Sequence, residues 1–364
     1  VEQAPDVVVI GASAAGLAAA WSAAGEGAHV RLLEAREAIG VPPASASLAF
    51  DFLWEAPFRP PASTVRRRHA GLRVRAPGGA LVEVDAPLAI LDRARFDQWL
   101  AKEAEARGAT IETGAKPDLD ALRGSVLVFA DGARTLATRY LPSQRHPGSL
   151  AWGSVLAFEQ PGAQEADRVT LTLGHHARGG RSQLNPLEGD AWTHWTFYRG
   201  EAADAEARAR EALRIDARLS GWPVSLADEA RFVGVAPDPV YTLPGRLSAP
   251  NVLVAGGAGG QGGLELGLGA GVMAGRVAAR VATGHASPGD YERAWKREHL
   301  RGYRALRTAT ERLARLPDDE IDRLLAPWDG RRLDVNALKA PATTLARNPR
   351  ALPALLRAAV RSIF

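Results

Sequence analysis

Asp6-Val7-Val8-Val9-Ile10-Gly11-Ala12-Ser13-Ala14-Ala15-Gly16, close to the start of the chain, decides the fold. The β-branched run Val7–Ile10 predicts a buried parallel strand. It breaks at Gly11 into an alanine-rich helix expected from about Ala14 to Ala24, which Gly25 and Gly27 end. His29-Val30-Arg31-Leu32-Leu33 reads as a second strand and delivers Glu34. Strand, glycine turn, helix, strand and then an acid form the layout of a dinucleotide-binding βαβ unit. Gly11 permits the sharp turn, and the helix N-terminus behind it offers open N–H groups to a pyrophosphate. Gly16 allows close packing of helix on strand, and Glu34 can accept from ribose hydroxyls. Ser13 stands where the motif usually has its middle glycine, and its hydroxyl could itself bond a phosphate oxygen.

The 364 residues allow two domains or one elaborated domain. There is no cysteine, which excludes disulfides, thiolate metal sites and a cysteine nucleophile. The eight histidines are scattered, and the set His175-His176 with His194 has no carboxylate at ligand spacing, so no metal site is expected. The net charge of +4 accompanies a pI near 9.7. Clusters such as Arg66-Arg67-Arg68 lack interleaved aromatics and read as solvated basic surface, not as a nucleic-acid site. A core strand this close to the first residue argues against a cleaved signal peptide, and no apolar run is long enough to span a bilayer. A cytoplasmic location is the expectation.

Further on, Leu72–Arg75 and Leu81–Val84 flank the turn Pro77-Gly78-Gly79 as a hairpin, and Ala44–Arg68 reads as irregular. Phe96, Trp99, Leu100 and Ala104 set the apolar face of a helix over Arg95–Arg107. Ser125–Ala130 is a buried strand ending in Asp131-Gly132. Between Ser149 and about Val240 the pattern suits an antiparallel sheet, interrupted by a polar helix over Ala203–Leu213. Asn251–Ala255 returns to a buried strand and opens into the glycine run Gly256–Gly263, with a helix expected from about Ala270 to Ala282. Placed between strand and helix, that run marks a second close approach of backbone to a ligand. Helices follow over Tyr291–Leu313 and Asp318–Leu325.

Three stations thus stand in order: Gly11 to Glu34, Asp131-Gly132, and the late strand, glycine loop and helix. The arrangement resembles flavoproteins of the para-hydroxybenzoate hydroxylase group, and within it the geranylgeranyl reductase family. Leu91-Asp92-Arg93-Ala94-Arg95-Phe96-Asp97-Gln98-Trp99-Leu100 is similar to a strand-to-helix segment of that family, and Phe129-Ala130-Asp131-Gly132-Ala133-Arg134-Thr135 to another. The resemblance implies an α/β fold: a Rossmann-type FAD-binding domain built from 1–45, 90–140 and 251–285, an antiparallel-sheet substrate domain from 46–89 and 141–250, and a C-terminal helical region over 286–364. It implies FAD as cofactor. Gly11, Ser13, Ala14, Ala15 and Gly16 would hold its pyrophosphate, and Glu34, Ala35, Arg36 and Arg93 its adenosine half. Asp131 and Gly132 would shape a nearby wall. Gly256, Gly257, Ala258 and Gly259 would meet the ribityl chain, and Gly267, Leu268 and Gly269 would lie under the isoalloxazine. For Arg93, a salt bridge to Asp92 or Asp97 is the competing reading.

The chain departs from the family where an aspartate gives way to Gly257, a glutamate to Leu268 and a cysteine to Ser45. An aromatic motif gives way to Arg181–Pro186, with Gln183 and Asn185 in it. The implied activity is reduction of carbon–carbon double bonds in an isoprenoid or lipid, with NAD(P)H or ferredoxin as electron donor. Two other readings stay open: an FAD- and NAD(P)H-dependent monooxygenase, and a non-catalytic flavin-family binding protein. Trp192, Trp195, Phe197 and Tyr198 are candidates for an apolar substrate wall, and His194, Tyr198 and Tyr241 are nominal proton donors. No residue declares itself catalytic. An apolar stripe with arginines in the last residues makes 340–364 a candidate for peripheral membrane contact.

Overall fold

In the computed structural model, the described residues are 5–41, 48–50, 61–122, 124–142, 151–162, 166–174, 180–198, 202–238, 245–313 and 315–334. Ser45, His175, His176, Tyr241 and the segment 340–364 lie outside them. In chain order, β1 (Val7–Ile10), α1 (Ala14–Gly25) and β2 (Val30–Leu33) come first. Then come β3 (Leu48–Phe50), β4 (Val65–Arg75), β5 (Leu81–Leu91), α2 (Arg93–Glu105), β6 (Thr110–Glu112) and β7 (Val126–Phe129). The middle supplies β8 (Ala151–Glu159), β9 (Arg168–Leu173), β10 (Arg181–Pro186), β11 (Ala191–Tyr198), α3 (Ala205–Leu219), α4 (Leu226–Glu229) and β12 (Arg231–Asp238). Last come β13 (Ser248–Ala249), β14 (Val252–Val254), α5 (Leu264–Ala282), α6 (Pro288–Leu313), α7 (Asp318–Leu325) and β15 (Arg332–Asp334).

These strands form two sheets. The first has the order β13-β14-β7-β1-β2-β6, with every pair parallel except β13 with β14. β1 and β7 are buried at every position, as a central parallel strand covered on both faces requires. On one face Leu17, Phe96, Leu100, Leu268 and Trp295 join α1, α2, α5 and α6 in one core, and on the other Leu119, Leu122 and Leu141 pack against Ile10 and Phe129. The second sheet runs β12-β8-β11-β10-β9-β4-β5-β15, with β3 on β5. The sequence elements 1–45, 90–140 and 251–285 supply the first sheet, while the strands drawn from 46–89 and 141–250 belong to the second, apart from β13.

Three elements differ from expectation. The predicted hairpin is the tip of two eleven-residue strands, β4 and β5, and β4 extends back into the stretch that reads as irregular. β10 is a fully buried strand although four of its six residues are polar. α5 begins at Leu264, well before Ala270, so Gly267 and Gly269 are helical residues. The reason is packing. A Cβ on Gly271 would sit 2.1 Å from the Ala15 carbonyl oxygen, and one on Gly275 would sit 2.1 Å from that of Ala19. Glycine at this spacing lets two helix backbones touch, and Ser22 Oγ donates to the Val272 carbonyl across the seam at 3.0 Å.

Candidate functional site

The parallel order places the C-terminal ends of β1, β7 and β14 side by side, where ligands bind in open α/β sheets. Gly11 leaves β1 at φ +98°, and a Cβ there would fall 2.8 Å from the Ala130 carbonyl oxygen. Gly16 is constrained as tightly, because a Cβ would lie 1.9 Å from the Gly11 carbonyl oxygen. Ser13 takes extended backbone (φ −72°), so a side chain is tolerated there. Its hydroxyl turns inward, donating to the Ala130 carbonyl at 2.8 Å and accepting from the Gly16 N–H at 3.4 Å. It therefore acts as the α1 N-cap. As the first two helical residues, Ala14 and Ala15 have N–H groups with no acceptor within the helix.

Glu34 closes one side of the turn. Its Oε2 accepts from the Ala12 N–H at 2.7 Å and its Oε1 from the Arg36 N–H at 2.9 Å. Each carboxylate oxygen keeps a further lone pair for a hydroxyl donor. Ala35 lies between those two anchors, and the Arg36 side chain is exposed. Asp131 behaves otherwise. Its carboxylate holds its own turn, accepting from Thr135 Oγ1 at 2.6 Å and the Leu136 N–H at 2.7 Å, and burial pushes its pKa up. Arg93 sits inside the protein on Asp97 at 3.1 Å, and burial raises the Asp97 pKa against that partner. The contact is a buried pair within α2 and not a surface one.

The late glycine loop meets the first turn directly. Gly256 adopts φ +62°, and a Cβ on it would sit 2.6 Å from Ala15 Cβ. Gly257 faces Gly132, with its Cβ position 3.5 Å from the Gly132 Cα. Ala258 and Gly259 are buried behind them, and Leu268 points into the core. Gly267 continues the seam, with its Cβ position 3.9 Å from Ala15 Cβ, while Gly269 has nothing near it.

The loop is fixed by residues that the sequence motifs did not flag. Buried Gln261 Oε1 accepts from the Gly256 N–H at 2.8 Å, and its Nε2 donates to Tyr291 Oη at 3.0 Å. Tyr291 Oη donates to the Val254 carbonyl at 3.0 Å, and burial drives its pKa upward. Tyr303 Oη donates to the Gly260 carbonyl and accepts from the Gly262 N–H at 3.3 Å. Tyr291, Trp295, His299 and Tyr303 recur every fourth residue on α6, forming one ridge of a helix. That spacing was the available signal.

The aromatic candidates divide between opposite faces of the second sheet. Trp192 packs with Leu213 of α3, and Tyr198 lies under the Arg208 guanidinium. Trp195 and Phe197 stack on each other on the other face, their ring centroids 6.0 Å apart. Alternation along β11 forbids all four from lining one wall. His194 is wholly buried on the α3 side, its Nε2 2.9 Å from Asp216 Oδ2. Ser182 Oγ and Thr172 Oγ1 donate to the same carboxylate. Neither His194 nor Tyr198 is exposed to deliver a proton. Among the described residues no group of three or more His, Asp or Glu could hold a metal. No helix among them is long and apolar enough to cross a membrane.

Residues 9–53 match the NAD(P)-binding Rossmann-like domain family. The chain is 37% identical to digeranylgeranylglycerophospholipid reductase 1 of Methanopyrus kandleri over 108 residues, which is 29% of each protein. The matched part is thus under a third of that relative's length. Similarity to digeranylgeranylglycerophospholipid reductase 1 of Methanothermobacter thermautotrophicus is 28% over 286 residues and covers 70% of each chain. The fold is shared with a geranylgeranyl bacteriochlorophyll reductase-like protein of Thermoplasma acidophilum. Its TM-score is 0.78 at 18% identity, covering 97% of this chain and 95% of that one. Over part of its length the chain is thus similar to digeranylgeranylglycerophospholipid reductases, and it shares the fold of a geranylgeranyl reductase-like protein. The residues at the meeting of the two turns fit a dinucleotide such as FAD. Two glycine turns at which side chains are sterically excluded meet at Ala15 and Gly256, and both helices α1 and α5 begin beside them.

Proposed function

We propose that the protein reduces carbon–carbon double bonds of an isoprenoid or other lipid, using FAD. The observation that carries this reading is the meeting of the two glycine turns at Ala15 and Gly256. The reductase names of the relatives favour an apolar substrate. FAD, when bound, supplies the two-electron chemistry. The chain's part is to bind, orient and shield. In this reading the N–H groups of Ala14 and Ala15, framed by Gly11, Ser13 and Gly16, hold the pyrophosphate, and Glu34 with Ala35 and Arg36 holds the adenosine ribose. Gly132 and Gly257 face each other across the path of the ribityl chain, beside Gly256, Ala258 and Gly259. Gly267 and Gly269 line the start of α5, while Asp131, Arg93 and Leu268 support the site from within the protein.

The division into a discontinuous FAD domain (1–45, 90–140, 251–285), a substrate domain (46–89, 141–250) and a helical region (286–364) belongs to the same proposal. The apolar wall is then Trp195 with Phe197. The electron donor is NAD(P)H or ferredoxin, the location cytoplasmic, and 340–364 the segment for peripheral membrane contact. The test begins with the visible absorption spectrum of purified protein with and without added FAD. Anaerobic turnover of a geranylgeranylated lipid with dithionite follows, read by mass spectrometry as one H2 gained per double bond. A colourless protein that takes up no FAD overturns the reading.

A further inference from the structure

At the far end of α5 from the glycine turns lies a groove of about 570 Å3. Two stripes of the same spacing build it. Met273, Arg276, Val277 and Arg280 fall at i, i+3, i+4 and i+7 on α5, and Asp290, Arg293, Ala294 and Arg297 repeat that spacing on α6. The half-buried Met273, Val277 and Ala294 make an apolar floor, and the four exposed arginines stand around it. His285 closes one end, its Nδ1 3.0 Å from Thr283 Oγ1. Ala286 and Ala294, being small, leave the space open.

The charge is not balanced from within. Arg276 reaches Glu26 at 3.5 Å, and Arg293 pairs with Asp290. Among the described residues, Arg280 and Arg297 have no carboxylate at ion-pair distance. Arg280 in the last turn of α5 complements the helix dipole, but that accounts for one of the four arginines. The guanidiniums of Arg280 and Arg297 beside an apolar floor suit a ligand with a phosphate group and a short apolar portion, because guanidinium forks match phosphate oxygens. At ~1.5 Å rise per residue, Arg280 lies roughly 24 Å along α5 from Leu264, so the groove is separate from the cofactor site.

We propose that the groove between α5 and α6 is a second binding site, which takes a phosphate ester, either of a soluble metabolite or of a lipid headgroup. Its test uses the FAD-loaded full chain and the double variant Arg280→Glu/Arg297→Glu, with Arg280→Gln/Arg297→Gln as the milder form if the first fails to fold. Pyrophosphate binding is measured by calorimetry. Binding to phosphatidylcholine vesicles with and without phosphatidic acid is measured by pelleting. The expected result is a loss of about tenfold or more in affinity for at least one probe, with the flavin spectrum unchanged. Loss confined to pyrophosphate identifies a soluble ligand, and loss confined to phosphatidic acid vesicles identifies a lipid one. Equal binding by parent and variant, or no binding of either probe by the parent, overturns the proposal. Since FAD content is read separately, failure here leaves the reductase reading standing.

Discussion

Gly271 of α5 lies against the backbone of Ala15 in α1, so that any Cβ on the glycine would overlap the alanine carbonyl. The same alanine touches Gly256 in the loop before α5. One residue therefore sets both how closely the two helices approach and how closely the two turns meet.

Gly271→Val should separate the helices. Overpacking a core costs about 1–3 kcal/mol, and a clash with backbone has less room to relax, so a loss near or above the top of that range is expected. FAD content should fall along with the melting temperature. A variant that melts like the parent and keeps its flavin would show that the seam tolerates a side chain.

Gln261→Leu removes the acceptor for the buried Gly256 N–H and one partner of Tyr291 Oη. Each buried group left without a partner costs roughly 1–3 kcal/mol. FAD should dissociate faster, while Tyr291→Phe, which removes the hydroxyl bonded to Val254, should have a smaller effect in the same direction. Flavin release followed by fluorescence measures both.

Gly257→Asp follows from the proposed path of the ribityl chain. The Cβ position at Gly257 is at ordinary contact distance, 3.5 Å, from the Gly132 Cα, so a side chain fits. A charge-assisted hydrogen bond to a ribityl hydroxyl is worth about 1.5–3 kcal/mol, so FAD should bind about tenfold more tightly or better. Unchanged or weaker affinity by titration would place the ribityl chain elsewhere.

His69 gives the fold an acid sensitivity. Burial, and next the neighbouring Arg67, lower its pKa from 6.5 to about 4, and its Nε2–H donates to the Pro186 carbonyl at 3.1 Å. The folded state holds this ring neutral where the unfolded state would protonate it. The resulting stability is full above pH 6.5 and is lost as pH falls toward about 4, up to about 3 kcal/mol in all. His69→Gln should flatten that part of the denaturation profile. An unchanged profile would assign the acid sensitivity to other groups.

The central strands of the first sheet were legible because they are short apolar runs that lead into glycine turns, as at Val7–Ile10 and Val252–Val254, whereas the two-residue β13 carried no such pattern. β10 was not singled out. Its Arg181, Ser182, Gln183 and Asn185 break the alternation by which strands are read, yet Gln183 Nε2 donates to Asn185 Oδ1 and Ser182 Oγ to Asp216, so the polarity is satisfied inside. The early start of α5 was hidden by its own glycines, which signal a loop by composition and a helix seam by position. The division of the β11 aromatics between two faces was present in their spacing: Trp192 and Tyr198 are six residues apart, while Trp195 and Phe197 lie on odd offsets from them. Gln261 gave only a weak sign, as the one polar side chain in a run of small residues, because its partner Tyr291 is thirty positions away.

The tyrosines of α6 make the nucleotide fold dependent on chain beyond its own sheet. A fragment cut after Thr283 would keep every strand of the first sheet, both glycine turns and the whole seam, and would still lack the hydroxyls that lock the second turn. Flavin colour would then report on a distant helix, and minimal domains trimmed to the βαβ elements would be poor reagents for studying this protein.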